Sequence, residues 1–237
     1  HLSLRRQRQM CIRDRGMSHT CALVRRVPYT ALPSDVRRVA GAPVRIDFVR
    51  THAMVPSEMV MVEYATEAEA RALQRQRPCI GGEALQVECL SAAQRQAFFQ
   101  RHYAHWPSEW LAALDIGASY PMQSVVLRHL PFDTTAEKLE KKLQRHYALG
   151  LQIPPRIDWH MSQLVRPTTP PLASSFTVLK LPPLHTESTS AWFLVCLSKV
   201  SDAMRLVRSW HRTRFLPKKF TVERTGDRYV VDAGVLY

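Results

Sequence analysis

Short blocks of alternating apolar and polar residues recur along this chain in the same order. Four blocks in the first half have counterparts in the second half: Leu23–Tyr29 with Val126–Phe132, Arg45–Phe48 with Arg156–Trp159, Met59–Tyr64 with Trp192–Leu197, and Leu85–Glu88 with Phe220–Glu223. The offsets are 103, 111, 133 and 135 residues, so the spacing grows only between blocks, where loops lie. This pattern predicts two copies of one domain.

The first copy contains signals for four strands and two helices. Alternation predicts strands over 22–27, 44–50, 59–64 and 84–88. Pro33-Ser34-Asp35 opens a short helix that Gly41 ends, and Thr66 with Glu69 forms a capping box before an Ala-rich helix. Gly81-Gly82 predicts the turn into the last strand.

The second copy repeats that programme with a longer interruption. Strands are predicted over 124–130, 156–161, 191–197 and 220–223, with an added strand over 176–181 inside a proline-rich insertion of about 162–190. Thr134 and Glu137 predict a capping box for the first helix, and a second helix is expected over 202–211.

The order β-α-β-β-α-β, found twice, predicts an α+β chain of two ferredoxin-like sandwiches, each with one sheet face left open. The predicted divisions are a basic terminal segment 1–19, domain 1 at 20–90, a linker at 91–121, and domain 2 at 122–237 with a C-terminal extension. Aromatic bulk in the linker predicts helices that pack on one or both domains.

Charge separates the two halves. The chain carries a net charge of +13, of which residues 17–90 contribute +1 and residues 122–237 contribute +8. A basic domain favours a polyanionic partner, although solubility alone also explains a basic surface.

Several classes of function lack their motifs in the sequence. No phosphate-binding glycine loop, nucleophile elbow or His-Glu-x-x-His motif is present, so we expect neither an enzyme nor a bound cofactor. The five cysteines never occur as Cys-x-x-Cys, which predicts a reducing compartment and no metal site. No apolar run is long enough to span a membrane.

The opening of the chain has a composition of its own. Residues 1–16 hold five Arg and one acid with no periodicity, which is typical of either a cloning artefact or part of an organelle transit peptide. We expect a mitochondrial location, with a nuclear one as the alternative.

The strand blocks resemble those of the RNA recognition motif (RRM) family, in which aromatic side chains on strands one and three stack on bases. The resemblance covers about 22–89 and 124–224, and the aromatic-poor pair of motifs is similar to degenerate two-motif proteins of fungal organelles. It maps the stacking positions to Leu23, Met59 and Met61 in the first copy and to Val126, Trp192 and Leu194 in the second. Trp192 is the aromatic residue among these six positions.

Arginines near these positions replace part of the missing stacking. Arg25 and Arg128 point to the same open faces, where a guanidinium can stack on a base or bind a phosphate. Lys218, Lys219 and Arg224 flank the predicted last strand of domain 2. For Arg205, Arg208 and Arg212, behind the sheet, a solvated face is the expectation.

Two functions therefore remain open. The first is an RNA-binding protein that contacts single-stranded RNA mainly through domain 2, by stacking on Trp192 and by phosphate contacts. The second is an RRM-fold scaffold that docks protein partners of a ribonucleoprotein assembly on its apolar faces. Met59 and Met61 fit RNA contact or burial under the linker helix or the other domain, and Trp192 fits a base platform or burial under the insertion.

Overall fold

The computed structural model describes residues 20–151, 165, 177–183, 190–215 and 229–236. These residues fall into two compact units that divide the chain between His102 and Tyr103. The predicted linker 91–121 is shared between them, because its first helix belongs to the first unit and its second helix to the second.

The first unit holds one four-stranded antiparallel sheet and three helices. Its main strands are β1 (Cys21–Arg25), β2 (Arg45–Arg50), β3 (Pro56–Glu63) and β6 (Gln86–Leu90), and its helices are α1 (Pro33–Ala40), α2 (Glu67–Gln76) and α3 (Ala92–His102). The strand order is β2-β3-β1-β6. A small hairpin of β4 (Cys79–Ile80) and β5 (Glu83–Ala84) precedes β6.

Local signals in the first copy act as the sequence predicts. Thr66 accepts from the backbone N–H of Glu69, whose side chain accepts from the backbone N–H of Thr66, so the predicted capping box is confirmed. Gly41 ends α1 with a positive φ of 80°. Alternation places Val60 and Val62 on the helix side of β3, where both are fully buried.

The second unit repeats the plan. Its strands are β7 (Ser124–Pro131), β8 (Val178–Leu181), β9 (Ser190–Cys196), β10 (Arg214–Phe215), β11 (Tyr229–Val230) and β12 (Asp232–Leu236), and its helices are α4 (Ser108–Ser119), α5 (Ala136–Leu143) and α6 (Val200–Trp210). The main sheet has the order β12-β7-β9-β8. Phe193 and Val195 of β9 form one core with Leu139 and Leu206 of the two helices behind it.

Two positions of the second sheet are taken by segments other than those predicted for them. The position beside β9 is taken by Val178–Leu181, which we predicted only as an added strand, and the position beside β7 is taken by Asp232–Leu236. The segments predicted for these positions, 156–161 and 220–223, lie outside the described residues. Short alternating runs arise by chance, so the strand partner, rather than the run itself, decides which segment joins the sheet.

A smaller correction concerns the start of α5. The side chain of Thr135, rather than Thr134, caps this helix by accepting from the backbone N–H of Lys138. The two threonines are adjacent in sequence, and the N–H of Thr134 instead donates to the carbonyl of Pro131 in the preceding turn.

Both units therefore have the β-α-β-β-α-β arrangement, with α1 and α2, or α5 and α6, behind the sheet. The predicted α+β class with two ferredoxin-like sandwiches is confirmed. Within the described ranges no helix has the length and apolarity to cross a membrane. Those same ranges contain no group of three His, Cys, Asp or Glu that could hold a metal ion.

Candidate nucleic-acid interface

The strand registers identify the side chains on the sheet face opposite the helices, which is called the open face here. In the first unit Leu23 lies beside Met61 and Arg25 beside Met59. Because paired residues share a face, all four predicted site residues are brought together. The guanidinium of Arg25 lies 3.5 Å from the sulfur of Met59.

Helix α3 lies across this open face. Nη1 of Arg95 is 3.1 Å from Oε1 of Glu63 and 3.2 Å from Sγ of Cys21, both on the open face. The ring Nε2 of His102, at the end of the helix, is 3.2 Å from the carbonyl oxygen of Arg50. Leu23 and Met61 are each only 1% exposed, because the linker helix α3 covers them.

The same face also carries carboxylates. Three ion pairs lie on it: Asp47 with Arg45 at 2.8 Å, Glu63 with Arg95 at 3.1 Å, and Glu88 with Arg25 at 3.5 Å. Burial raises the pKa of Asp47, and the neighbouring Arg45 opposes that rise. A face whose arginines are matched by carboxylates offers no excess positive charge to a phosphate backbone.

The open face of the second unit is apolar at its centre. Val126 pairs with Leu194 across β7 and β9, and the two are 2% and 0% exposed. Trp192, on the same face of β9, is half-buried. These three predicted site residues are adjacent, but none presents a free platform.

Helix α4 covers this second face. The rings of Trp110 and Trp192 are 5.2 Å apart, and the indole N–H of Trp110 donates to the carbonyl of Pro182 at 2.8 Å. The helix approaches β12 closely at Gly117, where a Cβ would lie 2.9 Å from Cβ of Leu236. The missing side chain of Gly117 is therefore what allows α4 to lie directly on the sheet.

A row of aromatic rings runs from the linker onto this sheet. Tyr103 meets Trp106 at 4.7 Å, Trp106 meets Trp110 at 5.5 Å, and Trp110 meets Trp192 at 5.2 Å. The first three residues of this row are at most 1% exposed. The Trp192 ring thus packs against the chain's own Trp110 ring with an interplanar angle of 45°.

Arg128, the other principal site residue of domain 2, is also engaged. Its Nη2 lies 2.6 Å from Oδ2 of Asp232 on β12, and its guanidinium is 5.9 Å from the centre of the Trp192 ring. The side chain is only 9% exposed. Its charge is matched by Asp232 and is not presented to solvent in this arrangement.

The remaining site predictions, Lys218, Lys219 and Arg224, lie outside the described residues.

The buried thiols show no sign of nucleophilic chemistry. Burial raises the pKa of Cys196 to about 12 and also raises the pKa of Cys21. Both thiols therefore stay protonated at neutral pH.

Sequence reasoning located the open faces but not what covers them. Trp106 precedes α4, which begins at Ser108 and carries Trp110, and the aromatic bulk of this linker was the available signal for a second ring packing on Trp192. Asp232 was also missed, because it belongs to β12, which was not predicted.

No family model matches the chain, and no curated protein matches it. Among solved structures, the chain is similar to RNA recognition domains 1 and 2 of Sex-lethal from Drosophila melanogaster, at 8% identity and a TM-score of 0.28, covering 91% of this chain and 99% of that one. It is also similar to the N-terminal three RNA binding domains of the yeast splicing factor Prp24, at 11% identity and a TM-score of 0.29, covering 91% of this chain and 64% of that one.

A single domain, the Glorund qRRM2 domain, matches 32% of this chain over 96% of its own length, at 16% identity and a TM-score of 0.29. The RRM-like fold of each unit rests on its own strand order and on its helices. The order β2-β3-β1-β6 in the first unit is repeated as β8-β9-β7-β12 in the second, with the same paired helices behind each sheet.

Proposed function

We propose that the protein binds RNA and that the second unit makes most of the contacts. The observation that carries this proposal is the charge difference between the two sandwiches, counted without the linker 91–121. Residues 122–237 carry +8, whereas residues 17–90 carry +1, and the arginines on the first sheet are matched by carboxylates. Phosphate contacts supply most of the affinity of non-specific nucleic-acid binding, so the more basic unit is the better candidate.

Because both sheets are covered, phosphate binding and base stacking occur in a fixed order in this proposal. Because the Trp110 ring packs 5.2 Å from the Trp192 ring and α4 covers this sheet face, we expect a base to stack on Trp192 only after α4 has left the sheet. A stacked base contributes about 1–3 kcal/mol, which has to exceed the cost of uncovering the apolar sheet. Phosphate contacts by lysine and arginine therefore come first, and stacking on Trp192 follows.

The experiment is a filter-binding series with the full chain and a 20-nucleotide single-stranded oligouridine between 50 and 200 mM salt. We expect log affinity to fall steeply with log salt, with a slope of about −0.7 for each phosphate contacted. Trp192→Ala is expected to keep that slope and to weaken binding, whereas Trp192→Phe keeps a stacking ring. A flat salt dependence contradicts the phosphate contacts, and equal affinities for Trp192→Ala and wild type contradict the stacking.

A second candidate function is supported by the cover itself. Both open faces are closed by helices of the same chain, at Leu23 and Met61 in the first unit and at Val126 and Leu194 in the second. A scaffold for protein partners in a ribonucleoprotein assembly needs no accessible base platform. A protein that fails to bind any RNA in the salt series but joins such an assembly through its folded surface fits this second function.

A further inference from the structure

The outer side of the two helices behind the second sheet carries a concentrated positive charge. Residues 136–146 and 199–212, which contain α5, α6 and their flanks, hold eight Lys and Arg against three carboxylates. All eight basic residues are exposed: Lys138, Lys141, Lys142, Arg145, Lys199, Arg205, Arg208 and Arg212. This set of eight, called the helical basic face here, lies on the side of the unit opposite the covered sheet face.

Aromatic rings, in addition to acids, hold part of this face in place. The ammonium of Lys142 lies 5.0 Å from the centre of the Trp210 ring. The guanidinium of Arg205 lies 5.0 Å from the centre of the Tyr147 ring. The Tyr147 hydroxyl is fixed 2.8 Å from Oγ of Ser209 on α6. A cation over a ring is positioned without losing its charge, so it remains able to bind an anion.

One carboxylate of the face is already used within the fold. Asp202 pairs with Arg205 at 3.1 Å and accepts from the backbone N–H of Ala148 at 3.3 Å. The exposed positions Lys138, Arg145 and Arg208 form no ion pair shorter than 4.0 Å with described residues. The net charge of the two segments, +5, is thus largely available to a ligand.

The equivalent surface of the first unit provides an internal comparison. Residues 33–40 and 67–77 hold five Arg against three carboxylates. Arg38 pairs with Asp35 one turn away, and Arg71 pairs with Glu67. The helical face therefore carries a net charge of +2 in the first unit and +5 in the second. Since both units have the same fold, the fold alone does not require the higher charge.

We propose that the helical basic face of the second unit binds the phosphate backbone of RNA while both sheet faces remain covered. This inference rests on the proposed function and gives it a location that the sequence pattern assigned to solvent. Half-buried Trp210 and Tyr147 lie among the cations, so the face offers flat rings as well as charge. Rings among cations suit a nucleic acid, whose bases stack, better than an acidic peptide.

The test compares two triple variants of the full chain that change net charge equally. Lys138→Glu, Arg145→Glu and Arg208→Glu together reverse three exposed positions of the helical basic face, while Arg37→Glu, Arg75→Glu and Arg101→Glu reverse three exposed positions of the first unit. Far-ultraviolet circular dichroism and thermal melting of both variants check that the fold is retained. Affinity for the fluorescein-labelled 20-nucleotide oligouridine is then measured by anisotropy across the same salt range.

We expect the first triple variant to lose at least about tenfold in affinity and to flatten the salt slope by about 2, as the loss of three phosphate contacts requires. The second triple variant is expected to change affinity less than threefold. Equal losses in both variants, or displacement of RNA contacts onto the first unit, overturn the inference. Unchanged RNA binding in the first triple variant, with lost binding of polyglutamate, assigns the face to an acidic protein and also overturns it. Absence of any RNA binding by the wild type refutes the proposed function itself, which is a separate result.

Discussion

Equivalent residues in the two units adopt the same unusual backbone conformation. Arg26 after β1 and His129 in β7 have φ angles of 62° and 61°. The strand-one segments Ala22–Val27 and Val125–Leu130 resemble a six-residue motif of the RRM family that has Asn or Gly at its fifth position, which Arg26 and His129 occupy. A left-handed backbone explains that preference, since Asn and Gly adopt it at the lowest cost. Here the family pattern is lost in the side chain but kept in the backbone.

Arg26→Gly is expected to stabilise the first unit by about 0.5–1 kcal/mol. An L side chain in the left-handed region costs about 1–2 kcal/mol, and glycine removes this cost. Glycine also raises the conformational entropy of the unfolded chain, which offsets part of the stabilisation. The lost ion pair with Glu83 is exposed and 3.9 Å long, so it contributes little. Urea unfolding measures the change. Arg26→Ala is the control, and an equal gain from that variant shows that backbone strain is not the cause.

At the scale of the element, the two linker helices are as much part of the sandwiches as their strands are. Helix α3 is attached by the Arg95 ion pair and carries the fully buried Phe99 ring, whereas α4 is attached by two uncharged contacts, the Trp110 ring and the close approach at Gly117. An ion pair and a packed ring respond differently to salt. Raised salt therefore weakens the hold of α3 more than that of α4.

Gly117→Ala is expected to destabilise the second unit by up to about 2 kcal/mol. Alanine favours the helix by about 1 kcal/mol, but a Cβ placed 2.9 Å from Cβ of Leu236 forces α4 away from the sheet, and such overpacking costs about 1–3 kcal/mol. Thermal unfolding and the exposure of Trp192 to acrylamide quenching provide the measurements.

Gly234→Ala is the matched control, because a Cβ there meets its nearest atom, Nη2 of Arg128, at an ordinary 3.6 Å. We expect this variant to unfold within about 0.5 kcal/mol of the wild type. Comparable destabilisation by the two substitutions contradicts the assigned role of Gly117.

The elements also show what the sequence was able to predict. Strong local signals, such as the Thr66 capping box and the alternation of β3 and β9, placed their elements correctly. Strand β8 was predicted only as an added strand, and β12 was not predicted, since both are short and are selected by their partners in the sheet rather than by their own pattern. The faces of Met61 and Trp192 follow from alternation, but their cover depends on tertiary packing that the pattern does not encode.

At the scale of the whole molecule, one fold is used twice with different electrostatics. The first unit pairs the charges of its open face and carries a net +2 on its helical face, whereas the second carries a net +5 on its helical face. Duplication of a domain leaves one copy free to lose a function that the other retains. In the proposed function, the first unit therefore contributes structure rather than RNA contacts.

Ultraviolet crosslinking of the full chain to oligouridine, followed by peptide mapping, is expected to place most crosslinks within residues 122–237 and few within 20–90. The physical reason is the difference between +8 and +1 in net charge of the two segments. A map with most crosslinks in the first unit contradicts the proposal that the second unit makes most of the RNA contacts.

The row of rings from Tyr103 to Trp192 has an optical consequence. Three of the five tryptophans, Trp106, Trp110 and Trp192, lie within ring-to-ring distances of 5.5 Å and 5.2 Å along this row. Aromatic groups held in fixed, asymmetric surroundings give near-ultraviolet circular dichroism that disappears when their packing is lost. The unlabelled protein thus carries a built-in spectroscopic reporter of whether its second β-sheet is closed.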